Sequence, residues 1–94
     1  MDRFSKVRPS PIAGTWYPAN ATRLAAAVDS YIQQAAFAPI DGDVLGVITP
    51  HAGYRYSGRT AGYAFRAVQG LEVDLVVVVS PFHNYHPESF VTTA

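Results

Sequence analysis

Two histidines come closely after apolar runs of strand-like composition. His51 comes after Val44-Leu45-Gly46-Val47-Ile48-Thr49 and Pro50, and His83 comes after Leu75-Val76-Val77-Val78-Val79-Ser80, Pro81 and Phe82. Neutral imidazoles suit Fe, Zn, Cu or Ni, and two His plus one carboxylate with open positions is the ligand set of non-haem iron sites that handle oxygen. If the two runs are neighbouring parallel strands, both imidazoles sit on one rim, at the carboxyl ends of the strands where open α/β sheets bind ligands. The third ligand is not evident; within the chain Glu88 or His86 could serve. The competing reading makes His51 and His83 loop residues hydrogen-bonded to backbone, with His86 solvated.

Other residue types point to binding rather than metal chemistry. Gly53-Tyr54-Arg55-Tyr56-Ser57-Gly58-Arg59-Thr60 comes close to the phosphate-binding pattern G-x-x-x-x-G-K-[ST], with Arg59 where lysine belongs. A planar guanidinium does not replace a compact ammonium between phosphates, and no aspartate comes after the second run to hold magnesium, so a nucleotide site is set aside. Amides at the start of a helix there, with Arg55 or Arg59 nearby, would hold a carboxylate or phosphate group of a substrate or peptide. The alternative is a solvated helix start. Trp16 and Tyr17 either wall a pocket or plug the core. Tyr54, three residues after His51, is the candidate proton donor or substrate contact.

Periodicity supplies the framework on which these residues ride. Residues 1–19 read as an aromatic loop punctuated by Pro9, Pro11, Gly14 and Pro18. Asn20 is a suitable N-cap for a helix over about Ala21 to Ala36, with Leu24, Val28, Tyr31, Ile32 and Ala35 as its apolar stripe. Asn20-Ala21-Thr22 also matches a glycosylation acceptor, and is better read as this helix start. Pro39, Gly42 and two aspartates end the helix. Ser57 is predicted to cap a second helix carrying Ala61, Ala64, Phe65 and Val68, closed by Gly70. Strand, helix and strand over this compass predict a βαβ unit with a right-handed crossover. Each proline after a run stops the strand and aims the loop residues beyond it. An all-apolar strand such as Leu75 to Val79 needs cover on both faces, so the expected class is α/β, a three-layer sandwich type with a mixed or parallel sheet, of which this chain is a βαβ-containing portion. Residues 1–94 are read as one partial domain, with 20–94 its helix-strand-helix-strand unit.

Composition narrows the function classes. Charged residues make up 15% of the 94-residue chain and apolar residues 49%, against about 25% charge in ordinary domains. That balance and the strand-like Ser89 to Ala94 predict an N-terminal fragment, or a truncated product, of a longer protein. Zero net charge argues against nucleic acid or an anionic membrane as partner. No apolar stretch approaches the ~20 residues of a membrane span, and the start lacks a signal-peptide apolar region. The absence of cysteine fits a reducing, cytoplasmic setting.

As a set these motifs resemble the Memo family. Ala13-Gly14-Thr15-Trp16-Tyr17-Pro18 resembles its A-G-S-W-Y-P signature, Pro50-His51-Ala52-Gly53-Tyr54 matches its P-H-A-G-Y motif, and Ser80-Pro81-Phe82-His83 resembles its G-P-S-H motif. The likeness covers about residues 9 to 94, about the first third of a typical member. The family is similar in fold to the class III extradiol non-haem iron dioxygenases, which implies an α/β architecture with a metal site at the strand ends. It implies His51 and His83 as two ligands of a divalent metal, Fe(II) or Cu, and Trp16 in a pocket where a eukaryotic member binds phosphotyrosine-type peptides. The remaining family ligand, a cysteine, falls after residue 94. In prokaryotes the family is associated with a radical-SAM system and its partner protein. Three functions are therefore expected: a dioxygenase-like, metal-dependent oxidoreductase with Tyr54 near the substrate; a peptide- or protein-binding module using Trp16 and Arg55; or an inactive truncated fragment that holds no metal.

Overall fold

Asn20 opens the first helix in the way its side chain allows. In the computed structural model of the chain, which describes residues 7, 9–84 and 87–88, Asn20 has extended backbone (φ −73°, ψ 126°) and its Oδ1 accepts from the Arg23 amide at 3.0 Å. One of the orphan donors of the first turn is thereby satisfied. Helix α1 runs over Ala21–Gln34, two residues short of the predicted Ala36. Its inward residues include Leu24, Val28, Tyr31 and Ile32, all half-buried, and Ala35 beyond its end is 1% exposed. The carbonyls at that end are capped from outside the helix: Arg66 Nη1 donates to Ile32 at 3.0 Å and to Gln33 at 3.3 Å. A cation beside exposed C-terminal carbonyls also opposes the negative end of the helix dipole. Asn20→Ala is expected to destabilise the fold by about 1 kcal/mol, measured by urea unfolding followed at the helical circular-dichroism signal.

Helix α2 runs over Tyr54–Val68 and packs on α1. It begins three residues before the predicted cap. Gly53 takes the N-cap position without a side-chain hydrogen bond, and Ser57 lies inside the helix, its hydroxyl donating to the Ala52 carbonyl at 3.1 Å. The other end fits expectation, since Gly70 has φ +81°, which glycine adopts without steric cost, and the Leu71 amide returns to the Val68 carbonyl at 3.2 Å.

The close approach of the two helices depends on Gly58 and Gly62, the buried residues of α2. They stand one turn apart and face Tyr31. A Cβ on Gly58 would lie 2.7 Å from Cε2 and Cζ of the Tyr31 ring, and one on Gly62 would lie 2.7 Å from the Tyr31 carbonyl carbon. The ring thus sits in a groove that only glycine leaves open.

The predicted α/β class is not found among the described residues. Among the described residues there are two helices and no strand, so neither the βαβ unit nor the three-layer sandwich with a mixed or parallel sheet is present. One isolated bridge, Ala13 to Tyr17, lies in the N-terminal loop. The reason is physical. A strand exists only through ladder bonds to a neighbour and cover on its faces, and apolar β-branched composition supplies neither. Leu45 and Ile48 are 97% and 99% exposed, and the side chains of Leu75 to Val79 are all at least 70% exposed. The chain divides into a unit over Ser10–Leu71, which holds both helices, and a second made of the residues on either side, so the two runs belong to different units. Among the described residues no helix is long and apolar enough to cross a membrane.

Candidate functional site

The loop before α1 is shaped by its own small residues. Gly14 has φ +89°, its amide donates to the Tyr17 carbonyl at 2.8 Å, and the amides of Thr15 and Trp16 both reach the Ile12 carbonyl. The Tyr17 hydroxyl donates to Ser10 Oγ. This fold-back presents Trp16 and Tyr17 side by side, and one further bond ties it to the second helix: the Tyr54 amide donates to the Trp16 carbonyl at 2.9 Å. An amide of the first turn of α2 thus finds a partner in the loop.

Aromatic rings continue from there. Tyr54 packs against Tyr17 with centroids 5.5 Å apart and planes at 38°, and against Tyr31 in an edge-on contact at 6.1 Å and 80°. Both separations lie in the range in which aromatic pairs attract beyond simple burial. The Tyr31 hydroxyl donates to the Tyr54 carbonyl at 3.3 Å, so the residue that seats the helices together also braces the start of α2.

Around this wall lies a cavity of about 460 Å³, wholly within the Ser10–Leu71 unit. Trp16, Tyr17, Tyr31, Thr49, His51, Tyr54 and Ser57 line it, with apolar walls from Ile12, Val28, Ile32, Ala61 and Phe65. An apolar, aromatic cavity with a few polar groups is the usual make-up of a small-molecule site, and the volume falls within the ~300 to ~1,000 Å³ of such sites. Trp16 is 48% exposed, so it walls the cavity rather than plugging a core.

Of the residues singled out from sequence, Trp16, His51 and Tyr54 are brought together on this cavity. Arg55 is exposed and outside its lining, and Arg59 is exposed on the same helix. His83 belongs to the other unit, as does the exposed Glu88, while His86 lies outside the described residues. Catalytic zinc-type sites use three protein ligands. Among the described residues no group of three or more His, Cys, Asp or Glu is placed to hold a metal ion. Tyr31 and Ser57 are not legible as site residues in the sequence. Tyr31 looks like one more member of the apolar stripe, and its hydroxyl is the only sign that it needs a polar partner. The phosphate-loop likeness dissolves here too, because Tyr54 to Thr60 is helix, not a cradle of free amides.

The sequence pattern of one protein family, described as Memo-like protein, matches residues 8–94. Among individual relatives, a MEMO1 family protein of Nitrosopumilus maritimus is 37% identical over an alignment covering 82% of this chain and 30% of that protein. The memo-1 homolog of Caenorhabditis elegans is 38% identical, covering 81% of this chain and 21% of its own length. Protein MEMO1 of Xenopus laevis is 32% identical, covering 89% and 28%. The chain therefore spans less than a third of the length of these relatives. No solved structure is significantly similar to it.

Proposed function

Because the chain belongs to the Memo-like protein family, we propose that its cavity is a binding site for an aromatic ring carried by a small molecule or by a phosphotyrosine-like peptide. The observation that carries this reading is the meeting of Trp16, Tyr17, Tyr54 and His51 on one cavity of about 460 Å³. A planar ring entering it would stack on the indole and tyrosine faces, while the His51 imidazole and the Ser57 hydroxyl supply the polar groups that fix its orientation. Arg55, one residue beyond Tyr54 and exposed, is available to the charged part of such a ligand. The cysteine-free sequence supports a reducing, cytoplasmic setting.

Trp16 is the sole tryptophan, so its fluorescence reports on this cavity alone. Titration with phenols and short phosphotyrosine peptides is expected to change that fluorescence saturably. A change linear in ligand for every compound would show only collisional quenching and would sink the proposal.

A second reading is favoured by the presence of the His51 imidazole on the same cavity. In it, His51 and His83 are two of the ligands of a divalent metal, Fe(II) or Cu, that would supply dioxygenase-like redox chemistry in the whole protein. The donors among the described residues do not complete such a site. Equilibrium dialysis of this chain against Fe(II), Cu(II) or Zn(II) is accordingly expected to give the same sub-stoichiometric metal content for the wild type, His51→Ala and His83→Ala. Stoichiometric metal that falls in both variants would put the second reading ahead of the first.

A further inference from the structure

Tyr54 is held from several directions. Its amide donates to the Trp16 carbonyl at 2.9 Å, and its carbonyl accepts from the Tyr31 hydroxyl at 3.3 Å. Its ring meets the Tyr17 ring at 5.5 Å and the Tyr31 ring, edge-on, at 6.1 Å. Tyr31 itself has little freedom. A Cβ at position 58 would lie 2.7 Å from its ring, and one at position 62 would lie 3.1 Å from its own Cβ, so α2 abuts the side chain at both ring and root. Close packing of this kind confines a side chain to one rotamer. All of these residues lie within the Ser10–Leu71 unit.

We propose that Tyr31 is a positioning residue of the cavity: its fixed ring sets the orientation of the Tyr54 ring, and through Tyr54 it sets the affinity for a bound aromatic ring. This rests on the reading of the cavity as a site for such a ligand, and adds the residue that prepares its wall. Binding is weakened by the entropy of ordering side chains at the site, and a wall residue oriented beforehand avoids that loss. The ring of Tyr31 matters more than its hydroxyl. An O–H···O contact of 3.3 Å is long for a hydrogen bond, whereas edge-on rings at this separation attract. Phenylalanine at position 31 therefore positions Tyr54 nearly as well.

Calorimetric titration of the 94-residue chain with p-cresol tests the proposal. Tyr31→Leu and Tyr31→Met are expected to bind about fivefold more weakly than the wild type, and Tyr31→Phe within about twofold of it. Asn20→Ala loses a helix cap remote from the cavity, and should keep the wild-type affinity despite its lower stability. A double-mutant cycle separates action through Tyr54 from direct contact: in a Tyr54→Leu background, Tyr31→Leu should cause no further loss. Unchanged affinity in both non-aromatic variants, failure of Tyr31→Phe to restore it, or the same loss persisting beside Tyr54→Leu would each overturn the inference while leaving the binding reading intact. Loss of the helical circular-dichroism signal in both non-aromatic variants would show a structural role alone and overturn it likewise. A wild type that does not bind p-cresol would instead sink the binding reading, and this inference with it.

Discussion

Gly62→Ala is expected to destabilise the two-helix unit by about 2 kcal/mol, although alanine is the better helix former by ~1 kcal/mol. The two effects have opposite signs, and geometry decides between them. A Cβ at position 62 would lie 2.7 Å from the carbonyl carbon of Tyr31 and 3.1 Å from its Cβ. Those atoms belong to the backbone and the root of the side chain, which no rotamer change moves away. The helices must therefore separate, and the contacts around Tyr31 and Ala35 open with them. Gly58→Ala meets the far end of the Tyr31 ring instead. The ring can swing at the expense of its hydrogen bond to the Tyr54 carbonyl and its edge-on contact with the Tyr54 ring. Its cost should be smaller, about 1 kcal/mol, and should come with a disturbed cavity. Thermal unfolding followed at the helical signal checks both, with a fall of roughly 10 °C expected for Gly62→Ala in a unit of this size. An increase in stability would show that the helices do not pack through these glycines.

Trp16→Ala is the second large expectation. It should weaken the binding of an aromatic ligand by about ten- to a hundredfold, a loss of ~1.4 to ~2.7 kcal/mol, while leaving helical content intact. The loop makes its structural bonds through the backbone of residue 16: the Trp16 amide to Ile12, and the Trp16 carbonyl from Tyr54. Alanine keeps both. What is lost is the half-exposed indole, which contributes stacking and buried area to a bound ring. Because the fluorescent probe goes with the side chain, the variant is measured by calorimetry beside the wild type. Tyr54→Phe, which keeps the ring contacts with Tyr17 and Tyr31, separates the contribution of the hydroxyl from that of the aromatic wall.

The part of the structure legible in the sequence is the local part. The Asn20 cap and the stripe from Leu24 to Ile32 follow from residue type and 3.6-residue spacing, and both are found where expected. The family resemblance is carried by three short motifs, and the match over residues 8–94 bears it out. Glycine is harder to read. Gly53 and Gly58 together resemble a turn or a phosphate loop, yet Gly58 and Gly62 lie inside a helix and serve its approach to Tyr31, a role that depends on a residue 27 or more positions earlier. The two apolar runs mislead for a similar reason. Composition announces a tendency to pair, but pairing is non-local, and nothing in Val44 to Thr49 or Leu75 to Ser80 names a partner. At the site, Trp16, His51 and Tyr54 are legible as chemistry. Their meeting on one cavity is not, because it depends on the Trp16 carbonyl accepting from the Tyr54 amide, 38 positions later in the sequence.

Everything proposed for ligand binding depends on the ring entering the cavity between the Trp16 loop and the start of α2. Backbone amide and indole NMR shifts recorded through a titration with a phenolic ligand report on that entry residue by residue. The expected result is a saturating footprint on Trp16, Tyr17, His51, Gly53, Tyr54 and Ser57, the indole proton of Trp16 moving furthest. Saturating shifts that spare these residues and gather on another face would contradict it.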